Sequence, residues 1–194
     1  VGQLSFYSAE ARPPDLADLG GLLCASGQVV GFARGRAAKV SITVEDRWRA
    51  VALGAALAER GVDAALSTAE DGALVGTAFR TDLAALAAAW LRGTTKVVPP
   101  GFELNGAVLR LWALAAGRWT DTATGYLLAL DPAAPGTHEP LGHALVASGL
   151  PIVPVIAPTG GPALRITGRR RLARLAELVG SAPRGACERT WPAA

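Results

Sequence analysis

The chain has 194 residues, 51% of them hydrophobic and 18% charged, with a net charge of +3 and a sequence pI near 9.3. Such a chain is globular and soluble, with one substantial core or two halves sharing one, and its charge permits a polyanionic partner without reaching the level of strongly basic nucleic-acid binders. Cys24 and Cys187 form no CxxC pair and His138 and His143 are the only histidines, so zinc-site spacing is excluded and no metal or other cofactor is expected.

Residues 1–15 read as an N-terminal extension with no charged segment followed by an apolar run and no methionine, so no signal peptide is expected. Asp15 and Asp18 suit caps at a helix start. Residues 19–27 (L-G-G-L-L-C-A-S-G) then read as a small-residue helix closed by glycine, with Cys24 a buried free thiol inside it. A cytoplasmic location follows from that reading. An extended stretch, 28–34, turns around Gly35 into an alternating strand, 39–44, whose apolar set is Val40, Ile42 and Val44. Residues 45–60 form an amphipathic helix with Asp46 as its cap and Gly61 as its stop. A second hairpin pairs 63–68 with 73–80 across Asp71-Gly72, and Thr81 or Asp82 caps a helix over 83–91.

The second half repeats this order. A helix over 109–117 (L-R-L-W-A-L-A-A-G) leads to an extended 118–122, a strand 126–131, a helix 139–148 closed by Gly149, strands 151–156 and 163–167, and a helix 169–179 ending at Gly180. The uncharged stretch within 140–164 is interrupted by Pro151, Pro154, Pro158, Pro162, Gly160 and Gly161, so it reads as strand, turn and strand rather than as a membrane span. Residues 141–149 (L-G-H-A-L-V-A-S-G) match the first helix by letter, but a repeat starting there leaves too little chain for two hairpins and two helices.

Two copies of helix, hairpin, helix, hairpin, helix, each opened by a small-residue nonapeptide, resemble the two-repeat LAGLIDADG homing endonucleases. The resemblance implies an α+β fold of two pseudo-symmetric αββαββα repeats, each a four-stranded antiparallel saddle with helices on one face. It divides the chain into an extension (1–15), a first repeat (16–95), a linker (96–104), a second repeat (105–183) and a tail (184–194). In that family the two motif helices pack together and each presents one carboxylate to a divalent metal. Here Ser26 and Ala116 stand at the acid positions, and neither supplies the negative charge a hard cation needs. Catalysis is not expected. The scaffold is similar to the amino-terminal domain of the WhiA sporulation regulators, a family that adds a helix-turn-helix module for which these 194 residues lead to no expectation of a counterpart.

The resemblance further implies that alternate strand residues face the major groove of double-stranded DNA. These are Gln28, Val30, Phe32 and Arg34, with Arg36 in the turn, then Lys39, Ser41 and Thr43; the second half offers Arg118, Thr120, Leu127, Ala129, Arg165 and Thr167. Lys96 falls where the family keeps a basic residue beside the scissile phosphate, and Arg184 has a comparable place. Both equally suit neutralisation of helix C-terminal carbonyls. Arg169, Arg170 and Arg171 open the last helix, where phosphate contact and a solvated helix face account for them equally well. Of the tryptophans, Trp48, Trp90 and Trp112 fall in helices and suit the core, while the strand parity of Trp119 points it away from the saddle.

Three functions are compatible with this reading. The first is a catalytically inactive, monomeric DNA-binding protein, a regulator among the uses it admits; the second is a protein-interaction or structural module whose saddle uses Val30, Phe32, Leu127 and Ala129; the third is a residual metal-dependent nuclease. A membrane partner is not expected.

Overall fold

The computed structural model describes residues 8–158, 160–186 and 190–192. Cys187, and any pairing it makes, lies outside the described residues.

A 3-10 turn, Leu16–Leu19, leads into α1, Gly20–Cys24. Asp15 accepts from the Ala17 amide while the Asp18 carboxylate accepts from the Asp15 amide, so two amides that a helix start leaves open are satisfied reciprocally. Asp18 is fully buried and holds both Arg12 and Arg60, which fixes the turn to the body of the protein. The first motif therefore forms a five-residue helix rather than a nine-residue one, its upstream turn wound more tightly.

The first repeat continues with β1 (Gln28–Phe32), β2 (Ala37–Val44), α2 (Arg47–Ala58), β3 (Ala64–Ala69), β4 (Gly72–Thr77) and α3 (Ala84–Trp90). A short hairpin of β5 (Leu91–Arg92) and β6 (Thr95–Lys96) follows, which the sequence pattern does not foreshadow. The second repeat comprises α4 (Gly106–Ala116), β7 (Gly117–Trp119), β8 (Gly125–Ala129), α5 (His138–Ala147), β9 (Val153–Ile156), β10 (Pro162–Thr167) and α6 (Arg169–Val179). Both repeats run αββαββα, and their antiparallel sheets have matching orders, β1-β2-β4-β3 and β7-β8-β10-β9.

One core serves both repeats. Val40, Ile42 and Val44 of β2 point into it from one sheet, Tyr126, Leu128, Leu164 and Ile166 from the other, and Leu22, Leu23, Leu109 and Trp112 of the motif helices fill its centre. Each buried aliphatic side chain contributes about 1.5–3 kcal/mol through removal from water. The motif helices meet backbone to backbone: a Cβ on Gly21 would overlap the Val108 carbonyl oxygen and lie 2.7 Å from Leu111 Cβ. Only a residue without a side chain permits that approach.

Two expected caps take other roles. Asp46 occupies the N-cap position of α2 without a side-chain cap bond, because its carboxylate accepts from Arg49 at 3.2 Å. Asp82 is drawn to Arg80 at 2.6 Å, and α3 begins at Ala84 after Leu83 with no side-chain cap. No helix among the described residues is long and apolar enough to cross a membrane.

Candidate functional site

Packing α1 against α4 brings both of their C-terminal ends to one cleft of about 500 Å³, lined by Ser26, Thr43, Glu45, Arg49, Ala116 and Arg118 among others. Ser26 is exposed in the turn after α1, and Ala116, the last residue of α4, is half-buried. The carbonyl groups at a helix C-terminus carry partial negative charge and require donors or cations. Here side chains provide them. Lys96 Nζ donates to the Ala25 and Gly27 carbonyl oxygens, each at 2.9 Å, and lies 2.5 Å from Asp131 Oδ2. At the other helix, Arg49 Nη1 donates to the Ala113 and Leu114 carbonyls at 3.1 and 2.6 Å, and its Nη2 donates to Gly117 at 2.5 Å.

The seam between the repeats is closed twice by related contacts. Gln28 and Arg118 each open the strand region that follows a motif glycine, and Asp131 and Glu45 each follow the second strand of a repeat. Gln28 Nε2 donates to Asp131 Oδ2 at 3.1 Å across the seam, and Arg118 lies 3.6 Å from Glu45 in the opposite direction. Burial pushes the Asp131 carboxyl up. The hydrogen bond and positive charge of Lys96, with smaller contributions from the Ala133 amide and Gln28, outweigh it and hold the group below its usual range.

Whether a divalent cation suits this cleft is a question of its donors. Neither Ser26 nor Ala116 brings a carboxylate, two carbonyl oxygens at the end of α1 are already turned to an ammonium group, and the end of α4 is covered by a guanidinium. Among the described residues no group of three or more His, Cys, Asp or Glu side chains is placed to hold a metal ion. These residues do not fit one.

Lys96 thus departs from the expectation of a groove-facing cation. It is 8% exposed, and its ammonium is consumed by the Ala25 and Gly27 carbonyls and by Asp131 because an unpaired charge there would be far costlier than a paired one. The alternative reading, a cation that neutralises helix-end carbonyls, describes it. Arg184 is exposed. Gln28 is likewise turned to the seam, its amide bonded to the Ser26 carbonyl and to Asp131 rather than extended over the sheet.

Sheet register sets the remaining residues. In the first sheet Val30 lies opposite Lys39, Gln28 opposite Ser41, and Thr43 opposite Leu74, all on the face away from the core, while Val29, Val40, Ile42 and Val44 are buried. Lys39 and Ser41 are half-buried, Thr43 is exposed, and Arg34 and Arg36 stand exposed in the turn joining the strands. In the second sheet Arg118 and Arg165 flank Leu127 on adjacent strands, and Thr167 is half-buried opposite Gly125. Thr120 departs from its expected place on the groove-facing row: its hydroxyl accepts from the Gly125 amide and closes the β7–β8 turn. Leu127 departs too, since Val155, Ala157 and Ala163 cover it and leave it 3% exposed. Of the residues expected to form an apolar saddle, Val30 and Phe32 are exposed on the first sheet, Ala129 is half-buried and Leu127 is covered. Trp119 sits edge-on to Tyr126 and donates to the Trp191 carbonyl, turned toward the interior as its parity indicates. Arg169, Arg170 and Arg171 are exposed at the start of α6, a helix whose inner residues Leu175, Leu178 and Val179 join the core.

Arg49 and Asp131 carry no mark in the sequence pattern that sets them apart. The Asp46-x-x-Arg49 spacing is a local signal of an ion pair on a helix start, yet the carbonyls that Arg49 closes are 64 to 68 residues away in the chain.

No protein-family model matches the sequence, and no curated protein matches it either. Solved structures do resemble it in fold. The homing endonuclease I-WcaI bound to its DNA recognition sequence superposes with a TM-score of 0.62 at 12% identity, over 92% of this chain and 89% of that one. The N-terminal LAGLIDADG domain of DUF199/WhiA gives 0.54 at 9% identity, over 87% and 82%. Full-length DUF199/WhiA from Thermatoga maritima gives 0.58 at 12% identity, over 94% of this chain and 58% of the longer protein. The fold is that of the two-repeat LAGLIDADG proteins.

Proposed function

We propose that this LAGLIDADG-fold chain binds double-stranded DNA on the outward faces of its sheets and does not cleave it. The observation that carries the reading is the outward row of β1 and β2, where Lys39, Ser41 and Thr43 stand beside the Arg34 and Arg36 turn, on a scaffold shared with an endonuclease that was solved on its DNA. A strand pair presenting cations and hydroxyls suits phosphate positioning and edge reading in the major groove. Arg118, Arg165 and Thr167 extend the row onto the second sheet. The cleft supports the absence of cleavage, with Lys96 and Arg49 at the two helix ends and Ser26 and Ala116 at the positions where the resemblance expects acids. In this reading the repeats 16–95 and 105–183 act as one monomeric binding unit in the cytoplasm, in a regulatory rather than a catalytic role.

The test is retention on random duplex DNA across a salt series. Replacing Arg34, Arg36 and Lys39 with alanine is expected to lower the slope of log affinity against log salt by about 3, near 0.9 per lost phosphate contact. No retention by the unaltered protein at low salt overturns the reading. Cleavage of supercoiled plasmid in magnesium, abolished by a chelator, overturns its second half.

A further inference from the structure

Two aromatic rings stand outside the core at the far end of the first sheet. Phe32, the last residue of β1, is 59% exposed and Phe79, just past β4, is 45% exposed; their centroids are 5.0 Å apart and their planes inclined by 40°. The cross-strand partner of Phe32 is Ala37, and a Cβ on Gly31 would meet nothing within 4 Å, so the surroundings of the ring are open. A water-facing ring pair is unfavourable unless a partner covers it.

The charge around the rings is positive. Lys39 Nζ lies 5.2 Å from the Phe79 centroid, and Arg34 and Arg36 are exposed in the adjoining turn. None of the three is in an ion pair among the described residues, whereas neighbouring Arg80 is neutralised by Asp82. The turn holds Ala33 at φ 52° and Arg34 at φ 58°, a conformation that L-residues rarely adopt and that costs free energy. It is braced by the Gly35 amide donating to the Phe32 carbonyl and by Arg36 Nε donating to the Ala33 carbonyl. Among the described residues the second repeat has no counterpart: at the same end, Tyr126 is buried, Trp119 is half-buried against it, and the turn carries Thr120, Asp121, Thr122 and Thr124.

Rings flanked by cations fit a ligand that offers a flat π-face and a phosphate in every unit. A paired duplex covers the faces of its bases and offers only their edges in the grooves. An unpaired nucleotide offers both face and phosphate, and stacking on an aromatic side chain tolerates any base. A protein partner could cover the rings but would have to bring separate acids to three cations. We propose that Phe32 and Phe79 form a stacking site for unpaired nucleobases, with Lys39, Arg34 and Arg36 holding the attached phosphates. The favoured ligand of the first repeat is then DNA in which a single strand continues from a duplex, an inference that rests on DNA binding by the same sheet.

Fluorescence anisotropy with three labelled probes tests it: a blunt duplex, the same duplex with a short thymidine overhang, and that duplex with an abasic overhang of equal length. The thymidine overhang is expected to bind about tenfold more tightly than the other two, as for one base stacked on an aromatic side chain. The double variant Phe32→Ala, Phe79→Ala, both positions being exposed, is expected to erase that gain, so that the thymidine overhang binds the variant no more tightly than the blunt duplex and the abasic overhang bind the same variant. A thymidine overhang that adds nothing, an abasic overhang that adds as much, or a gain that survives in the double variant overturns the stacking site while leaving duplex binding in place. Tight binding of the thymidine overhang with none of the blunt duplex supports the stacking site and overturns the duplex reading. No binding of any probe at low salt overturns both.

Discussion

The two repeats share element order and sheet topology yet present different outward faces. The first sheet shows Lys39, Thr43, Val30 and Phe32 to solvent beside a turn carrying two arginines, while the second covers Leu127 with Val155, Ala157 and Ala163 and leaves Arg118 and Arg165 along its surface. The inner faces are alike, because the shared core demands alternating apolar residues of both. The difference teaches that the fold constrains one face of each sheet and leaves the other to function.

The same asymmetry reaches the helix ends. Asp131, beside Lys96, has a side chain 4% exposed, whereas Asp46, beside Arg49, is 49% exposed. Lys96→Met is therefore expected to have the largest effect, a loss of about 3–5 kcal/mol in urea denaturation, because it leaves a buried carboxylate without its cation. Acid titration sharpens this. With its carboxyl held below the usual range, Asp131 contributes stability that is present above the titration range of an unfolded aspartate, about pH 3.9, and lost as pH falls through the lower folded value. In the variant burial is opposed only by the Ala133 amide and Gln28, so the carboxyl rises from its place in the unaltered protein, and the penalty is greatest near neutrality and is relieved on protonation. The stability gap between the two proteins is expected to narrow as pH falls; a gap constant with pH would show that Asp131 is not the group left uncompensated.

Gly21→Ala comes next, at about 1–3 kcal/mol, since an added methyl meets the α4 backbone and must part the motif helices. An unchanged urea midpoint would mean that the helix pair accommodates a side chain there. On the outward faces, Arg165→Ala is expected to lower the salt slope of DNA binding by about 1 and leave stability within about 0.5 kcal/mol, a smaller effect than that of the first-sheet triple variant. Equal slopes from the two sheets would erase the functional asymmetry. Among the changes at the helix ends and the helix pair, Asp46→Ala is expected to cost least, about 1 kcal/mol or under, its carboxylate being half in solvent.

Much of the architecture is legible in the sequence because it is written in local terms. The period-2 pattern of Val40, Ile42 and Val44 gives β2 and its buried face, Gly61 and Gly149 mark helix stops, and the helix over 169–179 coincides with α6. The β5–β6 hairpin escapes because two-residue strands carry no periodicity. At the candidate site, outward parity is legible for Lys39, Ser41 and Thr43, but engagement is not. Lys96, Gln28 and Thr120 read as available polar groups until the carbonyls, carboxylate and turn amide that occupy them are brought near. Leu127 reads as exposed by parity, and only the fold of the β9–β10 connection, with Gly160 and Gly161 at positive φ, brings Ala157 over it.

The contacts across the seam bind the two halves to a joint history. Asp131 of the second repeat answers Gln28 of the first and Lys96 at the start of the linker, and Arg49 of the first closes the helix of the second. A substitution at any of them is felt by a residue in the opposite copy, so at the seam the duplicates cannot diverge separately, however freely their outward faces change.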